Sequence, residues 1–254
     1  MSISYVFCCD HRSKTLFTSI EMYCLCMKKV LLLALCLLSV HSVGAAQEEK
    51  RLLQASPQAM PRDTNARRAS ELVEVIRLDS TIKLDIYYAF SDKNVFGKKF
   101  YAEARAFLQQ PAAEAFVRAH RAVKKHGYGL LITDAYRPWR VTKMFWDITP
   151  PDKREFVANP NDGSRHNRGC AVDVTLYDLS TGKEVSMPSK VDEMSERAYP
   201  TYMGGTEKSR ALRDLLKSVM EAEGFKVIRN EWWHFDYKDW REYPIMDIEF
   251  RDIR

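Results

Sequence analysis

Residues 164–176 read Ser164-Arg165-His166-Asn167-Arg168-Gly169-Cys170-Ala171-Val172-Asp173-Val174-Thr175-Leu176, and their character changes midway. A polar half that closes on Gly169 gives way to an apolar run from Cys170 to Leu176 with the pattern of a buried strand. Asp173 is the single carboxylate inside that run. Burying a charge without a partner is costly, so a strand that keeps one there implies something that holds it.

Working outward from this stretch, Tyr128 to Thr133 forms a second buried-strand pattern, and Asp134-Ala135-Tyr136-Arg137-Pro138 ends it. Pro138 lacks an amide hydrogen and biases Arg137 away from helical angles, which puts Arg137 on a defined corner. Helical spacing is expected through Phe145 and Trp146, followed by a loop rich in Pro, Asn and Asp from Pro150 to Gly163. Upstream, Ala102 to Lys125 carries helical spacing, with Phe107, Ala115, Phe116, Ala119 and Val123 on one side and a stop at His126-Gly127. Period-2 patterning over Leu72 to Ile76 and Ile82 to Tyr88 predicts one or two short strands. Downstream, residues 207–222 return to helical spacing, Gly224 stops them, and Phe225 to Ile228 with Glu231 to Tyr237 form a last β element. Strands and helices mix without a regular βαβ alternation, which predicts the α+β class: one domain with a small, mainly antiparallel sheet flanked by helices.

The chain has 254 residues, of which 46% are hydrophobic and 29% charged, as expected of a folded protein with a sizeable core. Its net charge of +5 arises from 39 basic and 34 acidic side chains dispersed along the chain. No dense Lys/Arg stripe exists to follow a phosphate backbone, so nucleic acid is not an expected partner. Five of the six cysteines fall in the first 36 residues. From Met27 the chain reads as a basic pair, an apolar run from Val30 to Val40 and the small residues Gly44, Ala45 and Ala46, the layout of a secretory signal peptide. The apolar run is about half of the ~20 residues that span a bilayer, so no permanent membrane anchor is expected after cleavage. The expected organisation is an over-long start or extension at 1–26, a signal peptide at 27–46, a mobile or loosely docked lead-in at 47–70 and the folded domain at 71–254. The protein is thus expected to be exported, to the periplasm or cell envelope. Only Cys170 remains after cleavage, which leaves no intramolecular disulfide to stabilise the fold.

Of the six histidines, His11 and His41 lie in the removed region, and His120 and His126 are read as solvated or capping residues of a helix. His166 and His234 remain, the latter within Glu231-Trp232-Trp233-His234-Phe235-Asp236-Tyr237. Zinc accepts neutral imidazole nitrogen and carboxylate oxygen, and a catalytic site keeps three protein ligands and one open position. His166, Asp173 and His234 supply such a set, with Gly169 allowing the backbone to turn between the first two. Glu231 could serve as a general base on the attacking water. On a flat strand residues three apart face opposite sides, so that pairing demands a turn, twist or bulge between Glu231 and His234. On the residues alone, a metal site and a chance grouping of polar residues both stand, and Trp232 and Trp233 read as packing aromatics.

The block Ser164-x-His166-x-x-Gly169-x-Ala171-x-Asp173, preceded by Asp134-Ala135-Tyr136-Arg137-Pro138 and followed by Glu231-x-x-His234, closely resembles the D-alanyl-D-alanine dipeptidases of the VanX type, zinc peptidases related to the DD-carboxypeptidases that trim peptidoglycan. The resemblance runs from about Tyr87 to Tyr237. It implies one zinc ion on His166, Asp173 and His234, Glu231 as catalytic base, and Arg137 as the residue that steadies the oxyanion. It further implies that Ser164 and Tyr88 contact the bound dipeptide and that Asp192 anchors its free amino group. After Met194 the chain, Ser195 to Tyr199, departs in part from the family pattern.

The expected function is hydrolysis of D-Ala-D-Ala, or a related envelope dipeptide, to free amino acids in cell-wall turnover. The alternatives are a peptidoglycan DD- or LD-carboxypeptidase, or a zinc-containing binding module that has lost catalysis. Ser80-Thr81-Ile82-Lys83 fits a serine-peptidase string but lacks the other motifs of that class. Cys170, among apolar strand residues, is a poor nucleophile.

Overall fold

Gly127 at one end and Pro138 beyond the other bound the apolar run that becomes the central strand. In the computed structural model, which describes residues 59–64 and 66–253, this is β4 (Tyr128–Asp134), and it pairs antiparallel with β5 (Ala171–Asp178). The sheet has five strands in the order β2-β4-β5-β7-β6, with β2 at Lys83–Leu84, β6 at Phe225–Val227 and β7 at His234–Tyr237. Only the β2–β4 pair is parallel, so the sheet is mainly antiparallel as expected. A separate two-stranded ladder joins β1 (Leu72–Glu74) to β3 (Phe107–Gln109). The expected α+β domain is therefore the observed one.

Two long helices cover one face. α2 (Gln110–Lys124) packs on β4, and α4 (Glu207–Ala222) packs on β6 and on α2. Ring contact between Phe116 and Phe225 at 6.3 Å joins the helical layer to the sheet. The alternation of β5 sends Val172, Val174 and Leu176 into this core and leaves Ala171, Asp173 and Thr175 on the other face. α3 (Trp139–Ile148) starts directly after Pro138, and α4 opens with the Thr206 hydroxyl accepting a hydrogen bond from the Ser209 amide at 3.0 Å.

Three local expectations are corrected. Phe107 belongs to β3 and not to a helix that starts at Ala102; Pro111 in the first turn of α2 marks the true helical start. The decisive interaction is long-range, because β3 needs β1 to complete its ladder. Val75–Leu78 form a short helical turn, α1, and Tyr87–Ala89 a 3-10 turn, where period-2 spacing predicted strand. His120 is fully buried inside α2, neither solvated nor a cap: its Nδ1 accepts the Leu130 amide at 3.1 Å, so Nε2 carries the proton toward Thr81 Oγ1 at 2.9 Å. His126 is exposed, as expected.

The assigned extension and signal segment, residues 1–46, lie outside the described residues. No helix among the described residues is long and apolar enough to cross a membrane. Within the lead-in, the Arg67 and Arg68 amides both donate to the Glu242 carbonyl, and Asp63 pairs with Arg168.

Candidate active site

The polar half of the 164–176 stretch folds as a tight device for placing two side chains. His166–Arg168 make one 3-10 turn, closed by Gly169 in the left-handed region at φ 65°. A Cβ there would sit 2.4 Å from Leu72 Cδ2, so glycine meets both a conformational and a steric demand. Two residues later β5 begins, and the β5–β7 register sets Asp173 opposite His234. Directly opposed residues share a face, which brings His166, Asp173 and His234 together in the buried interior.

The hydrogen bonds determine what these side chains offer one another. His166 Nδ1 donates to the Ala135 carbonyl at 2.6 Å and His234 Nε2 donates to Asp236 Oδ1 at 2.9 Å. In neutral rings the opposite nitrogens, His166 Nε2 and His234 Nδ1, are then lone-pair acceptors, and they face each other at 3.1 Å. Asp173 adds Oδ2 at 3.4 Å from the first nitrogen and Oδ1 at 3.1 Å from the second. Oδ1 is buried, and no hydrogen bond of sound geometry ends on it. Three acceptors thus converge on one point with no donor between them, an arrangement that calls for a cation. Their separations match the edge of about 3.3 Å that a tetrahedral ion with bonds of ~2.0–2.1 Å would require. Burial opposes ionisation of Asp173, yet the two imidazoles outweigh it and hold the carboxyl well below the usual range. Burial likewise disfavours charge on His234, but the neighbouring Asp173 and Asp236 carboxylates raise its affinity for a proton. The donor set fits zinc.

Glu231 sits before β7 rather than in it, and Trp232 and Trp233 form the turn that the Glu231–His234 pairing demanded. That turn is pinned by Trp232 Nε1 donating to Ser189 Oγ at 2.8 Å, the Trp232 amide to the Ala198 carbonyl at 2.8 Å, and the Val174 amide to the Trp233 carbonyl at 3.0 Å. Glu231 Oε2 consequently lies 3.7 Å from His234 Nδ1. Burial, partly opposed by His234, pushes its carboxyl up to about 8.

Arg137 is buried on the corner after β4. Its Nε and Nη2 both donate to Asp134 Oδ2, at 2.9 and 2.7 Å, while its guanidinium rests 4.6 Å from the Phe145 ring and 5.4 Å from Tyr88. Nη2 also lies 3.8 Å from Asp173 Oδ2, which places the cation at the edge of the His-Asp-His cluster. A bulge between Ile132 and Asp134 shifts the β4–β5 register so that Asp134 stands opposite Asp173. Asp134 also accepts the Tyr101 hydroxyl at 2.8 Å and the Ala135 amide at 2.9 Å through Oδ1.

The three candidate substrate contacts reach the same place. Tyr88 packs at 4.5 Å on Phe145, and Ser164 Oγ accepts the His166 amide at 3.2 Å. Asp192 adopts φ 62° and is the one non-glycine residue with positive φ among the described residues, a strain that concentrates at functional sites. Burial and the Asp173 charge lift its carboxyl to about 7. All eight residues singled out from sequence line one cavity of about 300 Å³. Asp134 and Asp236 were missed. The i, i+2 spacing of His234 and Asp236 on one strand would have signalled the second, whereas the bulge that sets the first leaves no mark in sequence. Ser80 is exposed and Lys83 Nζ donates to the Gly182 carbonyl, so that tetrad forms no site; burial pushes the Cys170 thiol up.

Residues 68–251 match the Peptidase M15 family, described as D-Ala-D-Ala dipeptidase. The chain belongs to this family. The D-alanyl-D-alanine dipeptidase of Escherichia coli (strain K12) is 33% identical over 181 residues, covering 71% of this chain and 92% of that one. The enzyme of the same name from Enterococcus faecium is 33% identical over 196 residues, covering 71% of this chain and 94% of its own. That of Streptomyces coelicolor (strain ATCC BAA-471 / A3(2) / M145) is 33% identical over 185 residues, covering 66% and 89%. The match spans every element of this M15 dipeptidase that supplies a side chain to the cavity.

Proposed function

We propose that this M15 dipeptidase hydrolyses D-Ala-D-Ala, or a closely related envelope dipeptide, with one zinc ion held by His166, Asp173 and His234. The observation that carries the reading is the convergence of two tautomer-fixed imidazole nitrogens and the Asp173 carboxylate beside Glu231 and Arg137 in a cavity of dipeptide size. Zinc, when bound, supplies a Lewis acid that makes water nucleophilic near neutral pH and polarises a carbonyl. Glu231 removes the proton of the attacking water and passes it to the leaving amine as the C–N bond breaks. Arg137, held by Asp134 and always charged, donates to the oxygen that becomes negative in the tetrahedral state. The Asp192 carboxylate pairs with the ammonium of the substrate, which restricts the site to an unblocked N-terminus, and Ser164 and Tyr88 contact the dipeptide.

The basic, apolar and small-residue run over 27–46 supports export to the periplasm or cell envelope. Precursor dipeptide is made in the cytoplasm, so an exported enzyme serves wall turnover or recovery of D-alanine. The test is release of free D-alanine from D-Ala-D-Ala by the zinc-loaded protein, with N-acetylated dipeptide alongside. Turnover of the free dipeptide, reduced about a thousandfold in Glu231→Gln, is the expected result. Turnover of the acetylated form would identify a carboxypeptidase, and zinc binding without turnover a binding module.

A further inference from the structure

A dipeptide brings two charges, and the cavity is provided very unequally for them. Its lining holds six carboxylates, those of Glu155, Asp173, Asp192, Glu193, Glu231 and Asp236, but only two guanidiniums, Arg137 and Arg165. Arg137 is assigned to the oxyanion, and its Nε and Nη2 are taken by Asp134 at the base of the cavity. Arg165 is the cation that stays available.

Several features seat Arg165 for a ligand. It precedes the zinc-ligand candidate His166, and its carbonyl accepts the Arg168 and Cys170 amides, each at 3.1 Å, so its backbone is held with the site. The guanidinium carbon sits over the Trp240 ring, 4.6 Å from its centroid, which limits the sweep of a long side chain. Its Nε lies 3.4 Å from Asp236 Oδ2, while neither terminal Nη group has a hydrogen-bond partner among the described residues. The side chain is 44% exposed, reachable from solvent and from the cavity alike. A guanidinium with a free donor fork matches a carboxylate in geometry as well as charge. Ser164, a candidate dipeptide contact, is its immediate neighbour.

We propose that Arg165 binds the C-terminal carboxylate of the substrate and makes a free C-terminus a requirement of this site. The inference rests on the dipeptidase reading and adds the residue that selects the second end of the substrate.

The test compares D-Ala-D-Ala with D-alanyl-D-alaninamide, which lacks the carboxylate charge, on zinc-loaded wild type, Arg165→Ala and Arg165→Lys. Wild type is expected to prefer the dipeptide about tenfold or more in kcat/KM. Arg165→Ala erases the preference by raising KM for the dipeptide, with kcat within about twofold and amide turnover unchanged; Arg165→Lys restores part of it. Unchanged amide turnover also shows the variant folded and loaded. A preference that survives in Arg165→Ala overturns the proposal, as does an equal loss on both substrates, which would mean that Arg165 acts only through Asp236 on His234. A wild type that cleaves neither substrate overturns the dipeptidase reading beneath it.

Discussion

Asp134 serves three donors at once, and this is the residue on which the buried guanidinium of Arg137 depends. Replacing it leaves a desolvated cation, a hydroxyl and an amide without an acceptor, whereas replacing Tyr101 removes one donor and leaves the ion pair whole. Asp134→Ala is therefore expected to destabilise the fold by about 3–5 kcal/mol and Tyr101→Phe by only about 1 kcal/mol, as read from urea unfolding midpoints. Equal losses would show that the Arg137–Asp134 pair has no special weight. The sequence presented Arg137 clearly, on a corner set by Pro138. It concealed Asp134, because the bulge that turns that carboxylate toward its partner arises from the β4–β5 pairing and not from local preference.

Among the elements, the seam between α2 and β4 contains a titratable latch. His120 must be neutral to accept the Leu130 amide, and burial lowers its pKa to about 4 against the ordinary 6.5, with Asp79 pulling the other way and Lys124 and Arg121 reinforcing the shift. Because the folded value lies below the unfolded one, the unfolded chain binds more protons between those limits, and the stabilisation fades as pH falls from about 6.5 toward 4. The stability gap between wild type and His120→Gln is expected to narrow across that window, by up to about 3 kcal/mol. A gap independent of pH in thermal melts would refute the latch. Helical spacing correctly placed α2 and α4 because amphipathic periodicity is a local property. It failed at Phe107, where an apolar residue suits a helix face and a strand equally and the partner strand β1 lies more than thirty residues away.

At the scale of the molecule, the sheet encloses a cluster of acceptors that a cation would unite. Zinc that binds only the folded state stabilises it by mass action, by about 4 kcal/mol at a free concentration a thousand times Kd. Chelation is accordingly expected to lower Tm, zinc to restore it, and Asp173→Asn to abolish the response. A melting temperature indifferent to both chelator and zinc would speak against a metal site.

The sequence by itself determined the α+β class and the central strands, because strand and helix periodicities are local, and it named the ligand and base candidates, because a carboxylate in an apolar strand advertises a partner and the flanking motifs resemble a known peptidase family. It also set the condition for pairing Glu231 with His234, a turn, twist or bulge between them, since residues three apart on a flat strand face opposite sides. Only the tertiary structure decided which nitrogens of His166 and His234 carry protons, that Asp134 holds Arg137, and that Arg165 keeps a free donor fork at the cavity wall. Those outcomes depend on the Ala135 carbonyl, on Asp236 and on Trp240, which approach through strand register and the packing of the C-terminal segment. The contacts of His166 with Ala135 and of Arg165 with Trp240 join residues far apart in the chain, and the Arg137–Asp134 pair depends on a bulge set by strand pairing, so no local pattern encodes them.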